Sequence, residues 1–216
     1  MIADTNDGLV DLVEARARDY LGGAPRSRRV LEAMRAIDRA SFLPAEERWA
    51  AYRDAPAPIG LGQTCFEPSM VAFMLDLLDP CPGDRVLEVG AGSGYAAALA
   101  ARLCAPGGRV VAVELLPGLA AAGRANCAAF GERLVYVEGD GSSGLPAYAP
   151  FDRILLSDGV RRGFDEGPFL AELAEGGVLV YPEERGRLFR VRREGGRLER
   201  DSWAGVAFVP LLGANA

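Results

Sequence analysis

The chain has 216 residues, half of them hydrophobic, and not one histidine. It can bury one sizeable core, while no apolar run reaches the ~18 residues of a membrane span. A formal charge of −6 argues against a broad nucleic-acid-binding face, and the missing imidazole excludes Ser-His or Cys-His catalysis and histidine metal ligands.

Residues 7–43 read as helical, with Val10, Leu12 and Val13, then Val30, Leu31, Met34 and Ile37, at three- and four-residue spacing. Gly22-Gly23-Ala24-Pro25 divides this stretch into two helices, and Phe42-Leu43-Pro44 closes the second. Residues 54–64, rich in Pro and Gly, read as an ordered loop rather than an element. Residues 68–78 follow as an amphipathic helix with Val71, Met74, Leu75 and Leu78 on one face.

From Asp84 short strands alternate with helices, which implies parallel βαβ units. Strands are expected at 85–88, 110–114, 134–138, 153–156 and 178–181, and helices at 95–103, 117–130 and 168–174. Residues 187–193 and 197–201 flank Gly195-Gly196, a hairpin signal, and 206–208 extend the last strand after a bend at 203–205. In that Arg-rich hairpin, Leu188, Phe189 and Val191 are expected to pack while Arg190 and Arg192 share a solvated side. One domain over 1–216 is expected, with helices and a covering loop in 1–79 and an α/β core in 80–216. Cys65, Cys81, Cys104 and Cys127 form no close pair and read as free thiols of a reducing compartment. The opening Met1-Ile2-Ala3-Asp4 lacks a secretory pattern, so the cytoplasm is expected.

The chemistry concentrates after the first core strand. Gly90, Gly92 and Gly94 lie between a strand and a helix, where glycine lets the backbone approach a ligand and helix-start amides donate to it. A dinucleotide loop would place its third glycine at position 95, which is Tyr95, whereas here it comes at Gly94. Glu88 sits inside the strand before the loop. Both details resemble motif I of S-adenosylmethionine methyltransferases. Glu114, ending the next strand, suits two ribose hydroxyls. Asp140, beside Gly141 at the third strand end, suits an adenine amino group. Ligands of open α/β sheets bind at these ends, so the three together read as a cofactor site.

Val30-Leu31-Glu32-Ala33-Met34-Arg35, Ala51-Tyr52-Arg53-Asp54, Pro58-Ile59-Gly60-Leu61-Gly62-Gln63-Thr64 and Phe208-Val209-Pro210-Leu211 resemble the protein-L-isoaspartate O-methyltransferase family. The resemblance covers nearly the whole chain, and Ile-Gly-x-Gly-Gln-Thr is its most specific part. It implies a doubly wound, mostly parallel seven-stranded sheet of the Rossmann-like class I methyltransferase type, with an N-terminal helical cap and a C-terminal antiparallel hairpin. It further implies transfer of a methyl from S-adenosylmethionine, leaving S-adenosylhomocysteine, to the α-carboxylate of L-isoaspartyl residues in damaged proteins. Implied partners are such proteins or peptides, with no nucleic acid, membrane or metal, and the chain is expected to act as a cytosolic monomer. Gln63 and Thr64 would lie over the sulfonium, and Val209, Pro210 and Leu211 would line the substrate channel. A carboxylate is already anionic near neutral pH, so methyl transfer to it needs no general base and no histidine.

Two positions depart from the family pattern. Phe66 stands where the family has a serine near the substrate carboxylate, so either Thr64 suffices or the substrate differs. Ser157-Asp158-Gly159-Val160-Arg161-Arg162-Gly163 replaces an alanine-rich loop and proline, where Asp158 in the channel would disfavour an anionic substrate and Arg161 and Arg162 would either recruit one or form a solvated loop. A paralogue methylating an Asp of a dedicated partner or a small molecule, and a non-catalytic cofactor-binding module, are the alternative expectations.

Overall fold

The structure, a computed structural model, describes residues 3–17 and 27–215, so the break expected at 22–25 lies outside the described residues. Helices α1 (Asn6–Ala17) and α2 (Arg28–Ala36) pack on each other and on α3 (Pro68–Leu78). The second helix stops at Ala36, short of the expected Phe42. Asp38 accepts the Ala40 N–H at 2.9 Å, and the chain continues as two short 3₁₀ turns, Arg39–Phe42 and Ala45–Ala50.

The expected loop at 54–64 instead contains a hairpin of β1 (Ala57–Gly60) and β2 (Gln63–Cys65). Gly60, Leu61 and Gly62, at φ +92°, +54° and +78°, supply its left-handed turn. Strands this short leave no readable alternation. Helix α3 is not amphipathic in place, because every residue except Asp76 is buried between the other helices and the main sheet.

The core alternates as expected: β3 (Arg85–Val89), α4 (Tyr95–Leu103), β4 (Arg109–Glu114), α5 (Pro117–Asn126), β5 (Leu134–Glu138) and β6 (Phe151–Leu156). Then come α6 (Gly167–Glu172), β7 (Leu173–Pro182), β8 (Arg185–Glu194) and β9 (Arg197–Ala207). The seven strands lie in the order β5-β4-β3-β6-β7-β8-β9, parallel through β7 and antiparallel beyond it. Val86, Val110, Ala112 and Leu155 face one buried cluster with helices α2 to α5. Leu87, Val111, Val113 and Ile154 face the other, with Phe169 of α6. Near-continuous apolar runs are what strands covered on both faces require.

The expected bend near the end of the chain is a bulge within one strand. Gly205, at φ +92°, is the extra residue between Ala204, paired with Arg187, and Val206, paired with Gly186. Leu188 and Val191 are buried, and Phe189 stacks on Tyr181 at 5.1 Å. Arg190 and Arg192 are paired rather than simply solvated, with Asp201 at 2.6 Å and Glu199 at 3.0 Å.

After β3 the chain winds outward through β4 and β5, then returns to lay β6 on the other side of β3. That reversal leaves a crevice at the carboxyl ends of β3 and β6, and the candidate site lies there.

Candidate active site

The glycine loop is held from below and from both sides. Gly90 and Ala91 donate their N–H groups to the Val113 carbonyl at 3.0 and 3.2 Å. Tyr136 Oη donates to the Gly92 carbonyl at 2.7 Å, and Asn126 Nδ2 to the Ser93 carbonyl at 3.0 Å. A side chain at Gly90 would overlap Asp158 Oδ2, and one at Gly94 would come 2.6 Å from Cys127 Sγ. Helix α4 then starts with no side-chain cap, leaving first-turn amides as donors at the loop.

Two carboxylates converge on this loop. Glu114 accepts the Gly92 N–H at 2.9 Å and the Leu116 N–H at 2.8 Å, so its orientation is fixed by backbone. Glu88, almost wholly buried, accepts Ser157 Oγ–H at 2.7 Å through Oε1, while Oε2 has no partner. Burial raises the Glu88 pKa to about 8, with Ser157 opposing and the Glu114 charge adding to the rise. Asp158 is a third acid here, pushed well above the usual carboxylate range by burial and then by Glu114 and Glu88.

A cleft of about 690 Å³, counting the part open to solvent, joins these groups. Gln63, Thr64, Phe66, Glu88, Gly90, Gly92, Glu114, Gly141, Asp158 and Leu211 all line it. Gly141 is needed for close packing, because a Cβ there would come 2.5 Å from Val113 Cγ1. The hairpin roofs one side through Ile59, and the C-terminal segment roofs the other through Leu211 and Leu212.

Four expected site residues lie outside that lining. Gly94 sits behind the loop against Cys127. Asp140 is exposed and turned to the C-terminal segment, accepting the Ser142 N–H at 2.9 Å and the Ala214 N–H at 2.8 Å. Burial alone would raise its pKa, but these hydrogen bonds outweigh it and hold Asp140 below the usual range. Val209 and Pro210 stitch that segment to Gly159, whose N–H donates to the Val209 carbonyl at 2.8 Å. Phe66 meets Phe208 edge-on, ring centroids 5.0 Å apart, so an aromatic pair stands where the family pattern places a serine.

Sequence reasoning missed Ile59, Leu212 and the Ser157 hydroxyl on Glu88. Only Ser157 carried a signal, as the first residue after the strand beside β3. It also missed Arg39, which is fully buried. Its guanidinium donates to six backbone carbonyls, those of Ala50, Ala51, Arg53, Ala55, Cys65 and Phe66, at 3.0–3.3 Å. That one side chain fixes the base of the covering hairpin.

Among the described residues, no cluster of acids and cysteines is placed to hold a metal ion. No described helix is long and apolar enough to cross a membrane. The four cysteines are free thiols, and burial lifts Cys104 and Cys127 to about 11 and about 12.

Known proteins match this arrangement. A Plasmodium falciparum structure named for the protein-L-isoaspartate O-methyltransferases, in complex with S-adenosyl-L-homocysteine, superposes with a TM-score of 0.82 over 97% of this chain and 99% of its own. At 21% identity that likeness shows the fold. In sequence, a protein-L-isoaspartate O-methyltransferase of Roseiflexus sp. (strain RS-1) is 46% identical over 194 residues, covering 88% of this chain and 87% of that protein. The Methanopyrus kandleri protein of the same name is 46% identical over 215 residues, covering 94% of each. The profile of the family described as protein-L-isoaspartate(D-aspartate) O-methyltransferase matches residues 16–216. By that profile match and these identities, the chain belongs to the protein-L-isoaspartate(D-aspartate) O-methyltransferase family.

Proposed function

We propose that the chain transfers a methyl group from S-adenosylmethionine to the α-carboxylate of L-isoaspartyl residues in damaged proteins. The observation that carries the cofactor reading is the charge of the cleft. Glu88 and Glu114 line it and, among the described residues, no Lys or Arg does. Such a cleft suits a ligand bearing an ammonium and a sulfonium and is wrong for a pyrophosphate.

The residues present fit the cofactor group by group. The partnerless Glu88 Oε2 is placed to take the ammonium, and the uncapped start of α4 the carboxylate. Glu114 keeps lone pairs for two ribose hydroxyls while its other contacts hold it still. When bound, the cofactor supplies an electrophilic methyl on sulfur. The acceptor oxygen forms the new bond to that carbon as the carbon–sulfur bond breaks and its electron pair goes to sulfur. No proton moves, so the protein's part is to align the carboxylate and exclude water. Gln63 and Thr64 on the hairpin, with Phe66 and Leu211, form walls suited to both tasks. The free thiols support a reducing compartment such as the cytoplasm.

The test is a pair of peptides identical except for one isoaspartyl linkage, each incubated with methyl-labelled cofactor. Base-labile label on the isoaspartyl peptide alone is the expected result. Equal labelling of both, or cofactor binding without label on either, would reject the function.

A further inference from the structure

We propose that Asp158 binds the methyl-accepting carboxylate, donating a hydrogen bond from its neutral carboxyl to the oxygen that does not react. This rests on the carboxylate-methylating function proposed above and assigns the group that recognises the acceptor.

Three observations carry it. The first is position: Asp158 follows β6 directly and lies against Gly90, in the same cleft as Thr64 and Phe66. Second, the carboxyl is uncommitted, because among the described residues it makes no hydrogen bond and no ion pair. Glu88 faces it from β3 and Glu114 from β4. The hairpin, α4 and the C-terminal segment bring Gln63, Thr64, Cys65, Tyr95, Leu211 and Leu212, none of them a cation.

The third observation is the balance of charge. Glu88 is already matched by the ammonium of the cofactor, and Glu114 adds a further carboxylate to the same cleft. An ionised Asp158 would add unmatched negative charge beside an incoming carboxylate. A proton on Asp158 converts that repulsion into a charge-assisted hydrogen bond. Burial first, and then the Glu114 charge, favour that protonated form. Phe66, edge-on to Phe208, adds an apolar wall to the same cleft. On this account the serine hydroxyl that the family pattern places at position 66 is replaced by an acid that follows β6.

The experiment measures kcat and KM for the isoaspartyl peptide at saturating cofactor from pH 5.5 to pH 9, in wild type, Asp158→Asn and Asp158→Ala. Saturating cofactor pairs Glu88 with the ammonium in all three, which keeps its titration, coupled to that of Asp158, out of the comparison. At low pH, wild type and Asp158→Asn should agree within about threefold, while Asp158→Ala loses roughly tenfold or more in kcat/KM, chiefly through the peptide KM. As pH rises, wild type should fall relative to Asp158→Asn, which keeps its donor. Equal behaviour of the asparagine and alanine variants would overturn the proposal, because Asp158 would then be at most a repelling charge. A wild type that rises relative to Asp158→Asn as pH rises would also overturn it. If wild type itself binds cofactor yet esterifies no isoaspartyl peptide at any pH, the parent function falls and this assignment with it.

Discussion

Arg39→Met should cost about 3–5 kcal/mol of folding stability, the scale for breaking a buried charged network. Methionine fills much of the same volume but donates nothing, so six carbonyls inside the N-terminal cap lose the guanidinium at once, and of these Ala50 keeps the Arg53 N–H at 3.2 Å. Two of the six belong to Cys65 and Phe66, at the foot of the hairpin that roofs the cleft. Arg39→Lys keeps the charge but offers three donors in place of the four Nη N–H groups that make these bonds, so it should recover only part of the loss. Chemical denaturation of the three proteins measures this, with cofactor affinity as the second readout. A lysine variant as stable as wild type would show that charge, not the fork of donors, is what the cap needs.

Glu114→Ala is expected to weaken cofactor binding by about 2–4 kcal/mol, or roughly 30- to 1,000-fold. The substitution removes the proposed ribose acceptors and frees the Gly92 and Leu116 amides that hold the loop and the start of α5. Asp140→Ala should cost less. Its carboxylate is spent on the amides of Ser142 and Ala214, so its loss first releases the C-terminal segment. Equilibrium binding of S-adenosylmethionine to both variants decides the order. An Asp140 effect larger than that of Glu114 would mean that the C-terminal segment yields and the carboxylate turns to the adenine.

What the sequence reveals and what it conceals follows from the range of the interactions. The glycine loop, Glu88 and Glu114 were legible because one strand–loop–helix unit and the strand beside it contain them all. Alternation of strands and helices after Asp84 was legible for the same reason, each element being long enough to display its period. The hairpin at 57–65 was not, since strands of four and three residues show no alternation and its Pro and Gly content mimics a loop. Arg39 was invisible because its acceptors lie 11–27 residues away and are backbone atoms, which carry no residue code. The contact of Asp140 with Ala214 spans 74 residues and left no local signal either. Phe66 and Asp158 stood out only as departures from a family pattern, and the cleft had to be seen to show that both face it.

A calorimetric titration of S-adenosylmethionine, with a nicotinamide dinucleotide as control, at pH 6 and pH 7 tests most directly the claim that this acidic cleft is a site for a cationic cofactor. With Glu88 held at about 8, its ionised fraction grows with pH across this interval, and the ammonium binds only the ionised form well. Affinity for S-adenosylmethionine should therefore rise by up to about tenfold per pH unit, with one cofactor per chain. No dinucleotide should bind at either pH. Dinucleotide binding that displaces S-adenosylmethionine, or a cofactor affinity that falls from pH 6 to pH 7, would contradict the account.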